Sequence, residues 1–139
     1  MKKIIPTFLL LALFASFATA QSGPVMTFEK SEIDYGNIAL GADGVRIFKF
    51  KNTGTEPLVV KNARGSCGCT VPKWPNEAIP VGKTGIIEVK YDTNRAGQFT
   101  KAVYVETNEA SPQHTLTIKG TVVEKNNGSV GANSSGSKR

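Results

Sequence analysis

The two cysteines of the 139-residue chain, Cys67 and Cys69, flank one glycine in the stretch GSCGCTVP. Two thiols that close can join as a disulfide, hold a soft ion such as Cu(I), or pack as small apolar side chains. On a straight strand, positions i and i+2 share a face with Cα atoms about 6.5–7 Å apart, at the outer limit for a bridge. Gly68 permits the tighter backbone that a short ring needs. A bridge closing three residues removes little chain entropy, about 1.6 kcal/mol by the loop expression, so it would be a weak staple. A redox role fits the spacing, yet no helix start lies beside the pair to lower a thiol pKa. Arg64 and Lys73 are the nearest cations in sequence that could favour a thiolate.

Other chemistries find fewer residues. The single histidine, His114, lies far from the cysteines in sequence, and a closed zinc site needs about four ligands. His114 shares parity with Leu116 and Ile118, as a residue capping a core at a strand end would. It has no nucleophile motif beside it, and the carboxylates are too scattered to suggest a paired site. No catalytic residue, resident metal or cofactor is assigned. Trp74, between Pro72 and Pro75, reads as a core-edge aromatic or a partner anchor, so Trp74 and Arg64 are the candidate binding-surface residues beside Cys67 and Cys69.

The elements that must position these residues read as strands. Helical periodicity is nearly absent, and short alternating stretches are bounded by Gly, Pro, Asn and Asp. Strands are expected at residues 25–29, 33–35, 45–51, 57–61, 86–91, 99–107 and 114–123. Gly36-Asn37 reads as a bend, the cysteine pair as a turn or bulge, and residues 74–85 as a Pro-rich loop. About seven short strands predict an all-β, immunoglobulin-like antiparallel β-sandwich.

The ends differ from the middle. Lys2 and Lys3, an apolar run to about Phe17, and Ala18-Thr19-Ala20 form a signal-peptide pattern ending at residue 20. The run is shorter than the roughly 20 residues of a spanning helix. This predicts export into a bacterial periplasm or the exterior, where thiols oxidise readily. Residues 125–139 are rich in Gly, Ser and Asn and read as a flexible tail. Between lies one domain, residues 21–124. The chain's formal charge of +6 belongs mostly to these ends. Removing Lys2, Lys3, Lys125, Lys138 and Arg139 from the 17 basic residues leaves 12 against 11 acidic ones, interspersed. No basic patch predicts nucleic-acid binding.

Several short motifs together resemble a known family. Asn52-Thr53-Gly54, Pro57-Leu58 and Ser66-Cys67-Gly68-Cys69-Thr70 are followed by Ile79-Pro80-Val81-Gly82, Tyr91-Asp92-Thr93, Gly97 before Phe99, Thr107-Asn108 and Lys119-Gly120. In this order they resemble domain of unknown function (DUF) family 1573, from about Phe28 to Val122. That family is similar to Hydin-like and major-sperm-protein-like immunoglobulin folds. The resemblance implies a secreted bacterial module without assigned biochemistry.

The sequence therefore leaves two expectations. The favoured one is a non-catalytic binding or scaffolding module whose partner is a protein or cell-envelope component, with no membrane insertion of the mature chain. The alternative is a periplasmic thiol-redox or Cu(I)-binding protein that uses Cys67 and Cys69. Oligomeric state is left open.

Overall fold

The computed structural model describes residues 22–125. The leader reading and all but the first residue of the tail reading lie outside them. The described chain forms eight strands: β1 (Met26–Phe28), β2 (Glu32–Ala39), β3 (Val45–Asn52), β4 (Val60–Gly65), β5 (Thr70–Lys73), β6 (Thr84–Tyr91), β7 (Gly97–Thr107) and β8 (Gln113–Val123). They make two four-stranded sheets, ordered β1-β3-β6-β5 and β2-β8-β7-β4. Among the described residues no helix is long and apolar enough to cross a membrane.

Alternation builds the core between the sheets. Phe48 and Phe50 of β3 and Ile87 and Val89 of β6 point inward from the first sheet, and Val103, Val105, Leu116 and Ile118 from the second. Removing each such side chain from water contributes about 1.5–3 kcal/mol. Tyr35, Tyr91 and Phe99 close one end, with Tyr91 and Phe99 stacked at 3.8 Å between centroids. Every buried side-chain nitrogen and oxygen among the described residues has a hydrogen-bond partner.

The expected sandwich is present, with four differences from the sequence reading. The pairing is antiparallel except between β2 and β8, which run parallel. Residues 36 and 37 do not end β2; a bulge between Asp34 and Asn37 lets it continue to Ala39, with Gly36 taking the positive φ of 63°. The strand expected at 57–61 lies later. Leu58 makes only an isolated bridge to Ile79, and β4 runs from Val60 to Gly65 against β7. The eighth strand, β5, pairs with β6 immediately after the cysteines.

Candidate functional site

Cys67 and Cys69 occupy the turn that carries the chain from one sheet to the other, from β4 to β5. They are joined as a disulfide, with Cα atoms 5.2 Å apart, closer than a straight strand would hold them. The Thr70 amide donates to the Cys67 carbonyl at 3.2 Å and closes the turn around Gly68. Gly65 is required by space, since a Cβ there would run into the Thr70 carbonyl oxygen.

The turn is fastened to both sheets. The Ser66 amide donates to Ala102 O at 2.8 Å, and the Ala102 amide donates to Ser66 Oγ at 3.2 Å, which ties it to β7. The Asp92 amide donates to Cys69 O at 2.9 Å, which ties it to the end of β6. The two sulfurs differ in setting. Cys69 is 5% exposed and belongs to the core, whereas Cys67 is half-buried at its margin. Thr70 Oγ1 lies 3.8 Å from Cys67 Sγ and 3.7 Å from Cys69 Sγ.

The cations nearest in sequence are engaged elsewhere. The Arg64 guanidinium stacks over the Tyr104 ring at 4.7 Å, and Lys73 Nζ pairs with Glu88 at 3.5 Å. His114 is also distant in function from the sulfurs. Its Nε2 lies 2.6 Å from Glu109 Oε2, and its ring meets the Phe28 ring edge-on at 5.7 Å, as suits a residue capping the core. Among the described residues no three His, Cys, Asp or Glu side chains gather as a metal site.

Trp74 and Arg64 are not brought onto one surface. Arg64 and Tyr104 belong to the second sheet. Trp74 follows β5, is half-buried against the core, and with Lys73, Pro75, Ile86 and Glu88 lines a shallow groove on the first sheet's outer face.

That face holds residues the sequence reading passed over. Ile47, Val71 and Ile86 are 40%, 54% and 45% exposed. Register puts Ile47 opposite Glu88, Lys49 opposite Ile86, and Val71 opposite Lys90. Lys49, Lys51 and Lys90 have no carboxylate partner among the described residues. The doubled apolar pairs Ile47-Phe48 and Ile86-Ile87 were the available signal, since one member of each must face outward. The second sheet's outer face carries Thr100, Thr115, Thr117 and Thr121, with Val123 exposed at the end of β8.

Glu109 was missed entirely. Its side chain, 9% exposed, accepts from the Met26 amide at 2.7 Å and the Thr107 hydroxyl at 2.7 Å, besides meeting His114. It fastens β1 to the β7–β8 turn.

Comparison with solved structures places this arrangement in company that shares its fold at low identity. A protein of unknown function from Porphyromonas gingivalis W83 is similar with a TM-score of 0.64 at 16% identity, over 79% of this chain and 51% of that one. The ASH/PapD-like domain 7 of human CEP192 gives 0.54 at 12%, over 71% and 85%. The YadV chaperone gives 0.52 at 10%, over 70% and 51%. The chain thus spans about half the length of the Porphyromonas protein. No curated protein matches it. The family described as protein of unknown function (DUF1573) matches residues 26–122, well over half of the sequence, and the chain belongs to that family.

Proposed function

We propose that this chain is an exported, non-catalytic binding module that holds an acidic, partly apolar polypeptide segment on the outer face of its first sheet. The carrying observation is the alternation of exposed Ile47, Val71 and Ile86 with Lys49 and Lys90, which lack carboxylate partners among the described residues. Exposed aliphatics on a sheet face leave apolar area in water that a partner can cover. Lysines between them favour carboxylates on the incoming chain and fix its register. The groove walled by Trp74 and Pro75 above Ile86 and Glu88 suits the side chains of an extended segment. The same architecture serves a chaperone, so it is compatible with holding polypeptide.

Strand addition at the β5 edge fits less well, because Pro72 lacks an amide hydrogen and Lys73 blunts that edge. Export rests on the leader pattern of residues 1–20, and N-terminal sequencing of the mature protein should begin at Gln21.

The binding reading is tested by placing a photo-crosslinking amino acid at Ile86 or, on the other sheet, at Thr115 in cells producing the full chain. The expected result is a polypeptide adduct from position 86 alone, with Asp or Glu near the crosslinked site, that Lys49→Glu/Lys90→Glu abolishes. Adducts equal at both positions, lipid adducts, none at 86, or indifference to charge reversal would each defeat it.

A further inference from the structure

The Cys67–Cys69 bond contributes little to architecture. It closes a ring of three residues and spans no strand. The turn keeps its place by other means: Ser66 is bonded to Ala102, Cys69 to Asp92, and β5 to β6 along four registered pairs. None of these hydrogen bonds runs through a sulfur. The bond also lies at the molecular margin, with Cys67 half-buried and Gly68 exposed beside it; a Cβ at Gly68 would meet nothing within 4 Å. Cys69 is covered, so an attacking sulfur has one open direction of approach.

We propose that this disulfide is a thiol–disulfide exchange site that accepts electrons from an external dithiol, with Cys67 Sγ as the sulfur attacked. A donor thiolate bonds to Cys67 Sγ as the Cys67–Cys69 bond breaks, and the electron pair of that bond leaves on Cys69 Sγ. Cys69 takes a proton from solvent. The donor's second thiolate then attacks its own sulfur in the mixed disulfide and releases Cys67 as a thiolate, which is protonated in turn. The protein gains two electrons and two protons, and the donor becomes a disulfide.

The pair stands as a disulfide, so it enters this chemistry on the accepting side. Arg64 is stacked on Tyr104 and Lys73 is paired with Glu88, so the two cations nearest in sequence are engaged away from the sulfurs. The leaving sulfur then needs another group to stabilise it. Thr70 Oγ1, 3.7 Å from Cys69 Sγ, is the positioning residue whose hydroxyl can donate to the departing Cys69 thiolate. This inference is independent of the partner-binding face, because Cys67 is not among the residues lining its groove.

The test uses the native mature protein. Graded dithiothreitol is followed by maleimide trapping and intact mass, with Trp74 fluorescence recorded in parallel. The expected result is two labels per chain while the fluorescence stays native. In single variants treated with oxidised glutathione, Cys67 in Cys69→Ser should form the mixed disulfide at least about tenfold faster than Cys69 in Cys67→Ser, because access governs the rate. Thr70→Val should slow reduction of the bridge about tenfold or more, as expected for losing one hydrogen bond to a charged sulfur, and Thr70→Ser should restore it. A bridge that opens only as the chain unfolds, Cys69 at least as reactive as Cys67, or a Thr70→Val rate equal to the original would overturn the proposal.

Discussion

Asn52 offers the sharpest test of how this sandwich is held. Its side chain is fully buried at the end of β3. The carboxamide nitrogen donates to Glu56 O at 2.8 Å and Ile79 O at 2.9 Å, and its oxygen accepts from the Gly54 amide at 3.0 Å and, more weakly, the Val25 amide at 3.4 Å. One side chain thus joins the approach to β1, the turn after β3 and the loop before β6. Asn52→Ala removes all four bonds. Ile79 O keeps its bond from the Leu58 amide, but Glu56 O and the buried Gly54 amide lose theirs. Three good bonds at about 1 kcal/mol net each give an expected loss of about 3 kcal/mol. For a domain of this size that is a fall in Tm of roughly 12–24 °C. Urea unfolding followed by the single Trp74 measures it, with exposed Asn76→Ala expected within about 0.5 kcal/mol of the original. Asn52→Asp keeps the shape but turns an oxygen toward Glu56 O and Ile79 O, and should cost at least as much. A loss below about 1 kcal/mol for Asn52→Ala, or a neutral Asn52→Asp, would refute this account of the joint.

Other perturbations have equally definite outcomes. Glu109→Ala should cost about 2–4 kcal/mol and speed amide exchange at Met26 far more than in β8, because a nearly buried carboxylate with three partners is lost; unchanged Met26 exchange would contradict the role given to it. Gly85→Ala drives a Cβ into the ring of fully buried Phe50 and should destabilise by about 1–3 kcal/mol in the same urea assay, whereas a neutral result would mean the ring can retreat. At alkaline pH, burial pushes the Tyr35 hydroxyl, which donates to Gly44 O, from 10.0 up to about 12, and raises Tyr91 as well. The folded state then holds the Tyr35 proton more tightly, so its contribution is full below about pH 10, declines as pH rises and is gone above about 12, with Tyr91 acting in the same direction. Urea midpoints at pH 9 and 11 should show that fall, and Tyr35→Phe should flatten it; an equal midpoint at both pH values would count against it.

Much of the fold was legible in the chain because strong alternation survives tertiary context. Phe48 and Phe50, Ile87 and Val89, and Leu116 and Ile118 all sit on the inner faces their parity predicts. Strand β5 was illegible for a physical reason. Its four residues include Pro72, and what makes them a strand is their pairing with β6, a partner sequence alone does not reveal. β4 was displaced because the register shift between Val60 and Asn62 breaks the period and puts Ala63 inside. At the cysteines, the residue types were visible but not their state; the turn around Gly68 draws the Cα atoms within bridging reach. Glu109 looked like one charged residue in a turn, since nothing local marks a carboxylate that is covered by β1 from 83 positions away.

The parallel pairing of β2 with β8 also bears on when this protein can fold. Glu32 lies beside Thr117 and Ala39 beside Val123, so among the described residues the second strand is matched by the eighth. On a chain emerging from its N-terminus, β2 has no hydrogen-bonding neighbour until nearly the whole domain has been made, and β7 lacks one side until the same moment. The second sheet therefore completes in a single late event, and such long-range closure makes folding slow. Until then the open edges of β2 and β7 are templates for other chains, and a product truncated before β8 would keep them exposed. The last eleven-residue strand acts as the gate between an unfolded chain that can still be threaded elsewhere and a domain that has closed on itself.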